Sequence, residues 1–134
     1  MHVALPLAMM GLIYWISSLP GSPAPDDATA GTVFDWIPPW LQNTLHVPLY
    51  AALAWAWRWA LAAWLKAPAA RSPAVCAITL AYALFDEWHQ SWVPGRYASL
   101  TDIVLDFAGA LFGIWLAAWL GRREIAVGGG STFV

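Results

Sequence analysis

The chain is poor in charged residues. Only 10% of its 134 residues are Asp, Glu, Lys or Arg, whereas soluble domains average about 25%. Because 60% of the residues are hydrophobic, the composition excludes a disordered chain and argues against a soluble monomer. The chain has only six Lys and Arg residues, and they are scattered along its length, which argues against a nucleic-acid partner. We therefore expect the protein to fold in a lipid bilayer.

Cysteine is nearly absent, whereas tryptophan is abundant. Cys76 is the single cysteine, so an intramolecular disulfide is excluded, and we expect its side chain to behave as a small buried hydrophobe. The 11 tryptophans are typical of membrane–water interfaces, where an amphipathic ring is best accommodated.

Four apolar segments approach the length of about 20 residues that a membrane-spanning helix requires. They cover residues 3–19, 45–65, 73–93 and 100–120. We therefore predict an all-α fold, a four-helix transmembrane bundle that forms one domain over residues 1–124. Residues 20–39 are rich in Pro and predict an exposed loop or an interfacial segment that carries Trp36 and Trp40. Residues 125–134 are rich in Gly and predict a flexible tail.

Basic residues predict the orientation, because Lys and Arg are retained on the cytoplasmic side of a membrane. A cytoplasmic N-terminus places all the basic residues except Arg96 on or near the cytoplasmic face, namely Arg58, Lys66, Arg71, Arg122 and Arg123. We therefore predict a multi-pass protein with the N-terminus and the C-terminus both cytoplasmic.

The ionisable residues inside the spans are predicted to lie at one depth. Asp86 and Glu87 lie about 21 Å along the third span, and Asp106 lies about 9 Å from the start of the antiparallel fourth span. In a hydrocarbon core about 30 Å thick these positions are level. His46 and Tyr50 begin the second span on the same side. Charges within a membrane are costly, so this convergence indicates a functional site.

Helical periodicity predicts which faces meet. Asp102, Asp106, Gly109 and Gly113 form a single stripe on the fourth span, and the two glycines form a GxxxG helix-packing motif. A small and polar stripe on the third span is predicted to face it. The two stripes would build an outward-opening polar pocket from His46, Tyr50, Asp86, Glu87, His89, Gln90, Arg96, Asp102 and Asp106.

Single residues of this set have structural interpretations. Ser99 and Asp102 have the spacing of a capping box, and Arg96 could serve only as a topological charge. Together, however, the charges exceed what caps and anchors require. They could be neutralised by shared protons, by Arg96, by a substrate or by a metal. His46, Asp86, Glu87, His89 and Asp106 offer metal-binding atoms, but no tight ligand signature is present, so a metal is not favoured and no cofactor is indicated.

The segment DEWHQSWVPGRYASLTD at residues 86–102 resembles the signature of the VanZ-like family. The likeness continues through Asp106, Gly109 and Gly113, and extends back to HxxxY at residues 46–50 and SSxP at residues 17–20. The sequence departs from the family where Asp106 replaces the usual Asn, and where Gln42 and Asn43 replace a frequent Asp-Lys pair. The resemblance implies a small bacterial inner-membrane protein of the cell envelope, in a family whose founding member is associated with teicoplanin resistance.

Three functions remain open at this stage. The first is an extracytoplasmic site that binds or acts on an envelope molecule such as a lipid-linked glycan or a lipid headgroup. In this hypothesis Glu87, His46 and Asp106 are the candidate catalytic residues, and Tyr50, Asp86, His89, Gln90, Arg96 and Asp102 bind substrate. The second is a non-enzymatic partner of another membrane protein. The third, a proton-coupled transporter, is least favoured, because four spans without repeats offer little for alternating access.

Overall fold

The computed structural model describes residues 2–21 and 38–128, and all of the regular structure in these ranges is helical. The helices are α1 (Ala4–Ser17), α2 (Pro39–Leu61), α3 (Pro68–Gln90) and α4 (Leu100–Gly128). The predicted all-α fold class is therefore confirmed. The predicted loop lies largely outside the described residues, as do Trp36 and residues 129–134 of the predicted tail.

Proline residues mark where α2 and α3 begin. Pro39 and Pro68 each occupy the first position of their helix, where a proline suits the required φ and its missing N–H is not needed. Both helices begin before the membrane spans predicted from residues 45 and 73, because hydropathy detects the apolar part of a helix and not its polar first turns. Helix α4 continues to Gly128, beyond the predicted end at residue 120.

Contacts between helix ends show that successive helices run antiparallel. The ring of His2, before α1, lies 5.5 Å from the ring of Trp59 near the end of α2. Arg58 on the same turn of α2 donates a hydrogen bond to Ser72 in the first turns of α3, at 2.8 Å. At the opposite end of the bundle, Ser17 of α1 contacts α3 near the end of that helix. The end of α1, the start of α2, the end of α3 and the start of α4 therefore share one end of the bundle.

The glycine pair of α4 packs against α2. A Cβ atom on Gly109 would overlap the carbonyl oxygen of Val47, and a Cβ atom on Gly113 would overlap that of Ala51. The two helices run parallel, and the absent side chains allow their backbones to touch. The sequence predicted the third span as the neighbour of this stripe, whereas the glycines contact α2. Periodicity identifies the packing face of a helix but not the helix that occupies it.

The core consists of two apolar clusters. One contains Ile13, Tyr50, Leu53, Tyr82 and Ala83, and the other contains Ala54, Val75, Ala110 and Ile114. Cys76 packs beside the second cluster, as expected of a small hydrophobe. Both clusters are built from α2 and its neighbours, so α2 is the central helix of the bundle.

The surface is apolar, while several charged and polar side chains are buried. Trp15, Trp92 and Phe112 are 61%, 74% and 52% exposed, whereas Asp86 and Asp106 are fully buried. Among the described residues, α3 (Pro68–Gln90) and the segment Leu100–Gly121 of α4 are long and apolar enough to cross a membrane. Helix α1 is apolar but shorter, at 14 residues. This distribution is the one expected of a protein whose surroundings are lipid.

Candidate functional site

Four carboxylates lie buried together at the end of the bundle where α1 and α3 finish and α2 and α4 begin. They belong to Asp86 and Glu87 on α3, and to Asp102 and Asp106 on α4, and none is more than 8% exposed. Helical periodicity explains why the two acids of α4 lie together, because residues four apart share a helix face. The structure thus brings together the four acids that the sequence predicted to converge, which are half of the eight acids in the chain.

His46 of α2 pairs with one of these acids. Its Nδ1 lies 2.8 Å from Oδ1 of Asp106, and the His46 side chain is 17% exposed while that of Asp106 is fully buried. A carboxylate at one ring nitrogen fixes the orientation of an imidazole and stabilises its protonated form. The pair is therefore a histidine–aspartate dyad at the edge of the buried cluster.

Asp86 is held by two neutral donors. Ser17 at the end of α1 donates to Oδ2 at 3.1 Å, and Gln90, one turn along α3, donates to the same oxygen at 2.9 Å. Gln90 was a predicted site residue, whereas Ser17 was not. The signal that could have found Ser17 was its place in the SSxP motif at residues 17–20, where it ends α1 beside the acids of α3.

Glu87 caps the start of α4. Its Oε2 accepts the backbone N–H of Ser99 at 2.5 Å, and the hydroxyl of Ser99 accepts the backbone N–H of Asp102 at 3.3 Å. In an ordinary capping box both acceptors come from one helix, with the acid three residues after the serine. Here Glu87, on another helix, accepts the serine N–H. The Asp102 carboxylate is therefore available to the buried cluster.

Arg96 binds the end of α1. Its Nε donates to the carbonyl oxygen of Leu19 at 3.0 Å, and an Nη donates to that of Ile16 at 3.4 Å. Both carbonyls lie at a helix C-terminus, where a positive charge is favourable. Burial lowers the pKa of the Arg96 guanidinium from its ordinary value, and the nearby carboxylates oppose that shift. Arg96 therefore joins α1 to the turn between α3 and α4 and adds positive charge beside the acids.

The turn that carries Arg96 requires glycine at position 95, and the segment packed against it requires glycine at position 21. Gly95 has a φ of 75°, and the N–H of Arg96 bonds to the carbonyl of Val93 at 3.1 Å, which defines a turn with Pro94 and Gly95 at its centre. Gly21 donates its N–H to Pro94 at 3.0 Å, and a Cβ on Gly21 would overlap Gly95. The chain after α1 is thereby fixed against this turn.

Several buried polar atoms have no hydrogen-bond partner in the described part of the chain. On three acids the second oxygen is held by the protein, while Oδ1 of Asp86, Oε1 of Glu87 and Oδ2 of Asp106 are unpartnered. Oδ1 of Asp102 and the hydroxyl of Tyr50 are also unpartnered. Tyr50 is fully buried, and its hydroxyl lies within electrostatic range of Asp86, Glu87 and Asp106.

The ring of His89 packs away from the four carboxylates, although its charge interacts with Asp86. Its ring is 4.4 Å from that of Tyr14 and 6.5 Å from that of Phe85, so it packs toward α1. Within residues 2–21 and 38–128, no group of three His, Cys, Asp or Glu side chains is arranged to hold a metal ion. The carboxylates approach one another closely enough to interact electrostatically but are not arranged as a coordination shell.

These features define a class: a helical membrane protein with acids buried among helix ends. The chain belongs to the VanZ/LLP1 family, whose sequence model matches residues 4–121. The predicted resemblance to VanZ-like proteins is confirmed. Neither the curated proteins nor the solved structures contain a significant match to this chain. Family membership and the two membrane-compatible helices together indicate a membrane protein associated with the cell envelope.

Proposed function

We propose that this protein is a four-span inner-membrane protein that contributes to glycopeptide resistance. Its buried acids would form an extracytoplasmic site that binds or acts on an envelope molecule. The envelope molecule would be a lipid headgroup or a lipid-linked glycan. Family membership supports the membrane and envelope parts of this proposal. The site itself is supported by the geometry of the acids.

One observation carries the proposal: the His46–Asp106 pair lies with Asp86 and Glu87, and each of these three acids has one oxygen without a partner in the described residues. A histidine held by an aspartate at Nδ1 is a common arrangement for proton transfer at the other nitrogen. Oε1 of Glu87 would be the second proton-transfer atom, because its Oε2 is engaged by Ser99. The two groups would act as base and acid on a ligand between them.

The extracytoplasmic location is supported by the distribution of basic residues. Arg58, Lys66 and Arg71 lie at the end of the bundle opposite the acids, where Arg58 and Arg71 bond to Ser72 and to the α2–α3 connection. Arg96 is at the end that contains the acids. The bias of Lys and Arg toward the cytoplasm supports an extracytoplasmic location for the acids.

Cysteine labelling in intact cells tests this orientation. Ser91 is exposed after the end of α3, and Ala67 is exposed before the start of that helix. In a variant lacking Cys76, a cysteine at position 91 should react with an impermeant maleimide, and one at position 67 should react only after the cells are opened. The reverse pattern would place the acids on the cytoplasmic side.

Glu87→Gln tests the site. The amide oxygen can still accept the N–H of Ser99, so the cap on α4 is kept while proton transfer is lost. Glycopeptide susceptibility of a host that depends on the protein would be measured at matched membrane expression. Lys66→Gln, an exposed change of one charge at the opposite end, is the control. We expect Glu87→Gln to lose the phenotype and Lys66→Gln to keep it.

A second candidate function is that of a non-enzymatic partner of another membrane protein. An apolar groove of about 360 Å³ lies between α1 and α2, lined by residues that include Leu5, Met9 and Trp55, and would accommodate an apolar chain or helix. The GxxxG motif of α4 contacts α2 and is therefore already used within the chain. Full activity of Glu87→Gln would favour this function over the first.

A further inference from the structure

The unpartnered atoms of the site are nearly all hydrogen-bond acceptors. Four of them are carboxylate oxygens, and the fifth, the hydroxyl of Tyr50, is fully buried among the acids. An unpartnered buried acceptor costs free energy, and a carboxylate costs more than a neutral group. A ligand that complements this site would therefore supply several N–H or O–H donors.

The charge of the site indicates that these donors are cationic. The four carboxylates have three groups near them that can be positive, namely His46, His89 and Arg96. With every group ionised, the site retains one negative charge in surroundings of low dielectric constant, where charge is expensive. An anion such as a phosphate would be repelled, and a sugar would bring donors without charge.

A primary ammonium group satisfies both requirements. It carries one positive charge and three N–H donors, and its hydrogen bonds to carboxylates extend to about 2.7–2.9 Å. A metal ion would need a tighter arrangement of ligands, and the described His, Cys, Asp and Glu side chains form no such group. Asp86, Glu87 and Asp106 each have one oxygen that is unpartnered among the described residues and can accept an N–H donor.

The depth of the site indicates where such an ammonium would come from. Trp88 directly follows Glu87 and is 60% exposed, and Trp15 and Trp92 at the same end of the bundle are 61% and 74% exposed. Exposed tryptophans mark the level of lipid headgroups. The acids thus lie at the level at which the amine of an aminophospholipid would be found.

We propose that the carboxylates of Asp86, Glu87 and Asp106, with the hydroxyl of Tyr50, bind a primary ammonium group such as that of a phosphatidylethanolamine headgroup. This inference rests on the proposed function, because it names the class of ligand for the same site. The exposed edge of His46 is the side from which the group would enter.

Lipid selectivity of the purified full-length protein tests the proposal. Native mass spectrometry in detergent would count bound short-chain phosphatidylethanolamine against phosphatidylcholine and phosphatidylglycerol of the same chain length. Phosphatidylcholine is the matched probe, because its quaternary ammonium has the same charge but no N–H donor. We expect phosphatidylethanolamine to bind about tenfold or more tightly than phosphatidylcholine, since a charge-assisted hydrogen bond contributes at least this much.

Substitutions in the site test whether phosphatidylethanolamine binds there. Asp106→Asn should reduce phosphatidylethanolamine binding by about tenfold, because one charge-assisted bond is lost, while Lys66→Gln should leave it unchanged. Glu87→Gln provides a second test in case Asp106→Asn does not fold. Competition by free ethanolamine would show that the ammonium alone is recognised, whereas binding of the lipid only would show that the acyl chains contribute. Both results support the proposal.

Equal binding of phosphatidylethanolamine and phosphatidylcholine would overturn the inference, as would unchanged selectivity in Asp106→Asn and Glu87→Gln. In that case the acids would be neutralised by protons shared between their oxygens, and not by a bound ammonium group. This failure is distinct from failure of the proposed function, which is measured by the susceptibility phenotype of Glu87→Gln. A site that fails to select the ammonium but still requires Glu87 would serve another ligand.

Discussion

The contact between α2 and α4 makes a quantitative prediction for Gly113→Ala. The new Cβ would overlap the carbonyl oxygen of Ala51 and lie 2.9 Å from its Cα. Both are backbone atoms, so neither can rotate away, and the helices must separate. Forcing one extra carbon into a packed interior costs about 1–3 kcal/mol. Gly113→Leu, with three further carbons, should disrupt the bundle more.

Gly11→Ala is the matched control. A Cβ on Gly11 has no atom within 4 Å, and this glycine also lies within a helix. Alanine favours a helix over glycine by up to about 1 kcal/mol, and this gain applies to both variants. The difference between the two variants therefore isolates the overlap, and we expect it to be about 1–3 kcal/mol.

Unfolding of the two variants in mixed micelles, followed by circular dichroism as the fraction of denaturing detergent is raised, measures this difference. We expect Gly113→Ala to unfold at a lower fraction than the parent protein, and Gly11→Ala at the same or a higher fraction. If the two variants unfolded together, the glycine stripe of α4 would not be the contact with α2, and the position of the acids on that helix would lose its support.

Three further substitutions make separate predictions. Arg96→Lys should lower stability by about 1–2 kcal/mol in thermal unfolding, because an ammonium cannot bond both carbonyls as the guanidinium fork does; an unchanged melting temperature would contradict this. Ser99→Ala should cost about 1 kcal/mol through loss of the cap on the Asp102 N–H, which the same melts would detect. Tyr50→Phe removes an unpartnered buried hydroxyl, so it should leave stability unchanged or higher while weakening binding of phosphatidylethanolamine; a large loss of stability would refute this.

The fold class and the grouping of the acids could be predicted from the sequence because both depend on periodicity and depth. The helical rise per residue places Asp106 and Glu87 at one level. Asp102 joins them because it lies four residues from Asp106. The neighbour of Gly113 could not be predicted, because a stripe of small residues is compatible with any helix. The start of α2 was missed because its first residues are polar and Pro39 was read as part of a loop.

The contacts of Arg96 and Glu87 could not be predicted, for a different reason. Arg96 was predicted to bind substrate, and its guanidinium also donates to the carbonyls of Leu19 and Ile16. Every helix ends in unpaired carbonyls, so these acceptors have no sequence signature. Ser99 was recognised as a cap, but the acid that completes it comes from another helix and is twelve residues earlier in the chain.

The two oxygens of each acid differ in their hydrogen bonding, and this difference indicates that the cluster does more than stabilise the fold. Asp86, Glu87 and Asp106 each have one oxygen that the protein holds and one that has no partner among the described residues. Each unpartnered oxygen costs about 1–3 kcal/mol, so three together cost an amount comparable with the total stability of a typical domain, about 5–15 kcal/mol. Apolar side chains of similar size would remove that cost, as they often do for buried ion pairs. Because the protein instead orients each acid through one oxygen and leaves the other available, the arrangement has the form of a site prepared for protons or for a donor-rich ligand.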